Sequence, residues 1–403
     1  MSTTVDNPRG KTPPDLFMDP YAAENIANPY PFFDALHNLA PVVYMVPHGA
    51  YAVGGYAEVK TILHDTETFT STAGIGLSDI TKPGAWGRKP SVFTEVQGEE
   101  HARNRSVLLR IISPVVVRKW RTDFQQRARQ VVDKILDMGE FDGVRDLTEE
   151  FILQAFPQAI GFSITREQAI VTGDLNFNEL GPNNERLVAS RKEAEHHMDW
   201  YRRQMTREAL TPGGIGAKIF DAADQGLIPA DVAPEMLRAF LRAGMDSTIS
   251  GIGTSFHMLG KHPDQWDMVR EDPNKARFAF EEAIRLETPT VSYRTTTRDV
   301  ELAGYHMAAD TKVGVYFGAA NRDPARWDNP TRYDITRDLT GHMAFGDGVH
   351  VCLGQVVARL EAECLITAVA ERARKIEVVG EPVYREVSSL RTLDRLPMKI
   401  YPA

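Results

Sequence analysis

A glycine-rich run that carries a single cysteine, Phe345-Gly346-Asp347-Gly348-Val349-His350-Val351-Cys352-Leu353-Gly354, stands directly before an apolar periodic stretch reaching about Arg374. That stretch predicts a helix of about 20 residues. A sulfur placed at a helix start meets unpaired amide N–H groups and about half a positive charge, which favours thiolate over thiol. Gly346, Gly348 and Gly354 supply positive φ and let a bulky flat group approach the main chain, with Phe345 as a stacking surface. Taken alone, Cys352 also fits a helix-start loop with an incidental buried thiol. The other cysteine, Cys364, lies three turns further on and is expected to pack in the core. Two cysteines build neither a disulfide framework nor a four-thiolate zinc site, as suits a reducing cytosol, so a cysteine that matters here matters for its chemistry.

Around this loop the chain reads as mainly α with small β-sheets. Helical periodicity runs through 113–138, 147–160, 185–208, 234–259 and 274–286, after a first helix at 31–39. Strand-like pieces fall at 42–46, 51–53, 295–302 and 311–316. The segment 71–93 holds four glycines and two prolines and reads as a long functional loop. Residues 1–20 are polar and proline-rich and are expected to form a flexible arm, with 21–403 as a single domain. At 403 residues and 42% hydrophobic content a large core is available, which excludes a disordered chain. The net charge of −9 excludes whole-chain affinity for nucleic acid or anionic membrane. No stretch of 18 apolar residues occurs, and a cytoplasmic location is expected.

The ten-residue cysteine run resembles the heme-binding loop of the cytochrome P-450 family, and further motifs carry the same resemblance across about 29–402. It implies the cytochrome P-450 fold, with heme b held between a long central helix and the cysteine loop and helix, and Cys352 as the axial ligand of the iron. Phe345, Gly346 and Gly354 match the loop's cofactor contacts. His101, Arg105, Arg294 and His350 match contacts to the heme propionates. Glu282 and Arg285, at i and i+3 on one helix face, resemble the family's Glu-x-x-Arg pair, whose third partner the resemblance places at Arg332. In the central stretch Ala243-Gly244-Met245-Asp246-Ser247-Thr248 sets a glycine, a carboxylate and two hydroxyls in an apolar run, which ordinary packing disfavours. It resembles the oxygen-activation segment, with Asp246 as the acid, Ser247 as the alcohol in place of the usual threonine, and Thr248 beside them. The implied activity is that of a heme-thiolate monooxygenase, in which an anionic sulfur favours O–O cleavage.

Several stretches look most like bacterial members that O-demethylate para-methoxybenzoates, among them Gly74-Ile75-Gly76-Leu77-Ser78-Asp79 and Phe177-Asn178-Glu179-Leu180-Gly181-Pro182. That likeness implies a small aromatic acid as substrate, with its carboxylate on Arg88, Ser91 and Arg238, Phe177 as an aromatic wall, and Ala243 beside it. The chain departs from the group at Leu180, Ala239 and Arg242; Arg242 is either a second anion anchor or a salt-bridge residue. A neutral or bulkier substrate, a non-catalytic heme-thiolate sensor and a peroxide-driven enzyme are the competing readings.

From His101 to Arg121 there are six basic residues, Arg103, Arg105, Arg110, Arg118, Lys119 and Arg121, and no acid. This suits docking of an acidic iron–sulfur ferredoxin, or a solvated face. Thr211-Pro212-Gly213-Gly214-Ile215-Gly216 lacks the setting of a dinucleotide loop, so an NAD(P)H-dependent ferredoxin reductase is expected on a separate chain.

Overall fold

The computed structural model describes residues 10–403. It is mainly helical with four small sheets, as the sequence predicts. Helices build the largest apolar core, and two smaller clusters pack around a six-stranded sheet. Its strands lie in the order Asp15–Leu16, Val43–Met45, Ala50–Val53, Lys312–Val315, Ser292–Thr296 and Phe69–Thr70. Two of them hold the long loop. The Tyr293 amide donates to Ile75 O at 2.9 Å, and the buried Lys312 ammonium donates to Ala73 O and Gly74 O at 2.7 Å each. Burial pulls the Lys312 pKa down to about 8. Between Phe69–Thr70 and Gly98–Ile111 no helix or strand forms, in line with the loop expected at 71–93.

Part of the expected N-terminal arm, residues 1–9, lies outside the described residues. Residues 10–20 do not hang loose. Asp15–Leu16 pairs in parallel with Val43–Met45, and Leu16 is buried in a cluster with Tyr21 and Phe32. Pro13 and Pro14 stand just before this two-residue edge strand, outside it, and Pro14 O accepts the Tyr44 amide at 2.9 Å.

The expected single helix over 234–259 is two helices, Val232–Ala243 and Asp246–Lys261. The break has a local cause. The Ser247 and Thr248 hydroxyls donate to Ala243 O and Gly244 O, at 2.9 and 3.2 Å, and compete with the backbone for those carbonyls. A new register starts with the Thr248 and Ile249 amides on Met245 O. Only glycine fits at 244, because a Cβ there would stand 2.1 Å from Phe156 Cζ. The stretch 185–208 is likewise divided, into Glu185–Ala194 and Met198–Gln204 joined by a tight turn at Glu195–His197. The helix after the cysteine run spans Gln355–Arg372.

Helix Ala276–Leu286 carries a fully buried ion pair. Arg285 Nε and Nη2 meet the two Glu282 carboxylate oxygens at 2.6 and 2.8 Å, and Nη1 donates to Asn321 O and Pro330 O. The third partner is Arg337, not Arg332 as expected. Arg337 Nε reaches Glu282 Oε1 at 3.2 Å, while the Arg332 side chain is exposed and only its carbonyl meets Arg285. The turn at 334–337 explains the change: the Arg337 amide bonds to Asp334 O and the Asp334 amide to Glu282 Oε1, which folds position 337 back over the pair.

Removing Arg337 leaves a buried carboxylate short of one charged donor, so Arg337→Ala should destabilise the protein by about 1–3 kcal/mol. Arg332→Ala should stay within about 0.5 kcal/mol of the parent. Thermal melts of the two variants check this; equal losses would return the third position to Arg332.

Candidate functional site

One cavity of about 370 Å³ lies between the broken central helix and the cysteine loop, and most of the sequence-predicted site residues face it. Cys352, Phe345, Gly346, His350 and Gly354 line one side, and Ala243, Gly244, Ser247 and Thr248 line another. Cys364 is buried in the helical core, where burial pushes its thiol up to about 12.

The cysteine loop closes on itself through the Cys352 amide, which donates to Phe345 O at 2.9 Å. Gly346 and Gly348 take positive φ, 69° and 68°, and a Cβ at Gly348 would lie 2.4 Å from Leu63 O. Gly354 has ordinary helical torsions, contrary to expectation; a Cβ there would point to within 3.8 Å of Cys352 Sγ. The amides of Gly354 and Gln355 and the charges of Arg105 and Arg359 favour the thiolate, but burial outweighs them and raises the Cys352 pKa. The helix-start effect read from the sequence is therefore present and smaller than the desolvation it opposes.

Arg105 and Arg294 face the cavity, and among the described residues neither guanidinium is paired with a carboxylate. Burial alone brings Arg294 down to about 10. His350 has both ring nitrogens engaged, Nδ1 on Phe93 O and Nε2 on Ser71 Oγ, each at 3.2 Å. The carbonyl only accepts, so Nδ1 carries the proton and Nε2 accepts from Ser71; burial holds the pKa near 4 and the ring neutral. His101 packs edge-on against His350 at 4.5 Å, behind the cavity wall.

Asp246 is buried and turned away from the cavity. Its Oδ1 accepts from Arg385 Nη2 at 3.4 Å, and Arg385 Nε lies 3.3 Å from Asp174 Oδ1. A Cβ on Gly173 would fall 2.3 Å from Asp246 Oδ2, so glycine is required beside this carboxylate. Burial raises Asp246 to about 7 and Asp174 to about 6, against the opposing pull of Arg385. Neither Arg385 nor Asp174 was found from the sequence; Arg385 lies 139 residues from Asp246, and no local pattern joins them.

Arg88, Ser91, Phe177, Leu180, Arg238, Ala239 and Arg242 all line the cavity. Arg88 is buried against Glu95, with N–O distances of 3.4 Å, and its Nε has no partner. Glu95 also accepts from the amides of Ile75 and Ser91, at 3.0 and 2.6 Å. Ser91 Oγ accepts from the Phe93 and Thr94 amides, which leaves its hydroxyl proton free to donate. Arg238 pairs with Glu235 and donates to Pro90 O at 3.2 Å. Arg242 lines the cavity with Nη2 3.9 Å from Glu179 Oε2 and Nη1 donating to Lys89 O at 3.1 Å. Phe177 and Leu180 pack with Val387 and Leu390.

The chain matches the Cytochrome P450 family model over residues 217–374. It is 41% identical to cytochrome p450 CYP199A2 of Rhodopseudomonas palustris, covering 99% of this chain and 98% of that protein. The chain belongs to the cytochrome P450 family. It is 26% identical to 6-deoxyerythronolide B hydroxylase of Saccharopolyspora erythraea, over 96% of this chain and 99% of the relative. Among solved structures it superposes on cytochrome P450 CYP109Q5 from Chondromyces apiculatus with a TM-score of 0.80 at 25% identity, covering 96% and 99% of the two chains. As a cytochrome P450 it is an oxidoreductase of the monooxygenase type, and its cofactor is heme b. The residues present fit that group: a thiol, the buried Arg294 guanidinium and the half-buried Arg105 guanidinium, both free of carboxylate partners, converge on one apolar cavity.

Asp246 and Asp174 hold protons more tightly folded than unfolded, so their ionisation weakens the fold as pH rises from about 4 to about 7. Arg385 offsets that loss only once they are charged. Arg385→Met should therefore lower the melting temperature more at about pH 8 than at about pH 5. A pH-independent drop would mean that the guanidinium is not balancing carboxylates.

Proposed function

We propose that this cytochrome P450 oxidises a small aromatic acid, by O-demethylation or hydroxylation of a para-substituted benzoate, in a single domain with Cys352 as the axial thiolate. The observation that carries the substrate class is Arg88: a buried guanidinium with an unpartnered Nε, beside the free Ser91 hydroxyl proton and the Phe177 ring, in one apolar cavity. A carboxylate that leaves water needs charge-assisted donors in return. Arg88, Ser91 and Arg238 supply them, while Phe177, Leu180, Ala239 and Ala243 form an apolar slot for the ring. Arg242 keeps the loop carbonyl of Lys89 against helix Val232–Ala243.

The heme when bound supplies oxygen activation with a thiolate-ligated iron. Arg105 and Arg294 would hold its propionates, with His101 and His350 shaping the wall behind them, and Phe345, Gly346 and Gly354 making room for the ring. The Ser247 and Thr248 hydroxyls donate to carbonyls of the helix break, so their lone pairs remain available to accept hydrogen bonds at the cavity. Asp246, with a pKa of about 7, is the acid of the proton supply, and its carboxyl must leave Arg385 and swing to the hydroxyl side to deliver. The exposed side chains Leu109, Val115, Val349 and Val356 accompany the exposed Arg110, Arg118 and Lys119, which suits an acidic ferredoxin reduced by a separate NAD(P)H-dependent reductase. Among the described residues no helix is long and apolar enough to cross a membrane; a cytoplasmic setting agrees with the two unpaired cysteines.

Two experiments test this reading. Reduced protein under carbon monoxide should show the long-wavelength Soret band of a thiolate ligand, lost in Cys352→Ala and kept in Cys364→Ala. Binding of a para-methoxybenzoate, followed by the spin-state shift, should weaken about 10²-fold or more in Arg88→Ala, because each 1.4 kcal/mol is tenfold and an unpaired buried charge costs several. The uncharged amide should be far less affected. If the wild type binds acid and amide equally, or neither, the aromatic-acid assignment is wrong.

A further inference from the structure

On the cysteine side of the cavity one arginine is held in place by an unusual number of contacts. Arg359 projects from helix Gln355–Arg372, seven residues beyond Cys352, which lies in the loop just before that helix, and its charge is felt at the Cys352 sulfur. Its guanidinium lies over the Phe345 ring at 4.5 Å from the centroid. Nη1 donates to Gln355 Oε1 at 2.6 Å, and Nε and Nη2 engage both oxygens of Glu281. Glu281 belongs to helix Ala276–Leu286 and shares Oε2 with His342 Nε2 at 2.6 Å, three residues before Phe345 in the chain. Burial raises its carboxyl, but the hydrogen bonds from His342 and Arg359 and the Arg359 charge outweigh it and hold the carboxyl down to about 2. Phe345 in turn is tied to Cys352 through the carbonyl that accepts the Cys352 amide, and both residues face the cavity.

Nothing in the stability of the helix requires this arrangement. A guanidinium over an aromatic face gains about 0.5–2 kcal/mol, and a carboxylate such as Glu281 could be satisfied by an arginine in other geometries. What the geometry does achieve is to fix a full positive charge at one place beside the sulfur-bearing loop, in partly buried surroundings where solvent screens it only in part. The neighbouring Glu281 carboxylate partly cancels that charge.

We propose that Arg359 is a positioning residue for the redox centre: acting through Phe345 and the cysteine loop, its charge sets how readily the iron is reduced, and Glu281 meters that charge. The inference rests on the reading of Cys352 as axial ligand. Reduction adds one electron to the ferric centre, supplied by the electron donor, with no bond made or broken and no proton moved. The reduced centre is one charge more negative, so a nearby cation stabilises it relative to the oxidised one and a nearby anion does the opposite.

The test is a dye-coupled reductive titration of holoenzyme variants, with the carbon monoxide band recorded on each. Arg359→Met keeps the apolar stem and removes the charge; it should shift the ferric/ferrous equilibrium about tenfold toward ferric, a midpoint change of about 59 mV for one electron. Glu281→Gln should shift it the other way. Arg359→Lys, which keeps the charge, should stay near the wild type, and with Glu281→Gln it carries the test should Arg359→Met fail to hold heme. An unchanged midpoint in Arg359→Met, or shifts of the same sign in the arginine and glutamate variants, would overturn the proposal while leaving the ligand reading intact. Absence of the thiolate band in the wild type would overturn both.

Discussion

The fully buried pair of Glu282 and Arg285 is the constraint around which the cysteine side is assembled. A buried ion pair costs more than it gains unless every remaining donor and acceptor is satisfied. Here the outstanding donors of Arg285 go to Asn321 O, Pro330 O and Arg332 O, and the outstanding acceptor capacity of Glu282 goes to the Asp334 amide and Arg337. Satisfying one charge pair thus gathers the whole segment from 321 to 337 onto helix Ala276–Leu286. Asn321 passes the order on, because its Oδ1 accepts the Met343 amide at 2.6 Å, two residues before Phe345. The loop that presents Cys352 is therefore placed from below, by polar closure, and its own glycines only permit the shape.

The opposite wall obeys a different logic. Helix Val232–Ala243 would run into Asp246–Lys261 without a break were it not for two hydroxyls that capture carbonyls and a glycine pressed on Phe156. The break widens the helix where the cavity needs room and leaves Ser247 and Thr248 on its surface. It also sends Asp246 the other way, into the pocket that Gly173 leaves open beside Arg385. Acid and hydroxyls that are adjacent in the chain so end on different sides of one wall.

The overall class, the long loop, the cysteine run and the Glu282–Arg285 pair were legible because each is local: periodicity, glycine spacing and i, i+3 placement are all written within a few residues. Helix Arg166–Asn178 escaped notice although Thr165 and Gln168 form a capping box, a signal that reading for apolar faces alone passes over. What no local pattern contains is which distant groups meet. The exchange of Arg332 for Arg337 turns on one tight turn, and the acids Glu95, Glu179 and Glu235 that face the three cavity arginines come from three separate elements. The central break was half legible, since the glycine and hydroxyls were seen as odd for packing, while their effect on the helix register depended on Phe156.

Those pairings change what the arginines signify. A count of basic residues suggests a strongly cationic cavity, yet Arg88, Arg238 and Arg242 each have a carboxylate beside them. The three differ in what remains. Arg242 sits beside Glu179 and donates to Lys89 O, fastening loop to helix, whereas Arg238 commits only Nη2, to Glu235 and Pro90 O. Arg88 alone keeps a buried N–H without a partner, against a carboxylate already occupied by two amides. At a further acid of the cavity lining, Glu361, burial without any ionic partner favours the neutral form, so it does not offset the cations. On the proposed aromatic-acid reading, anion affinity would follow from one under-satisfied guanidinium in an apolar setting, and the number of arginines around it would matter less than the number of their lone donors.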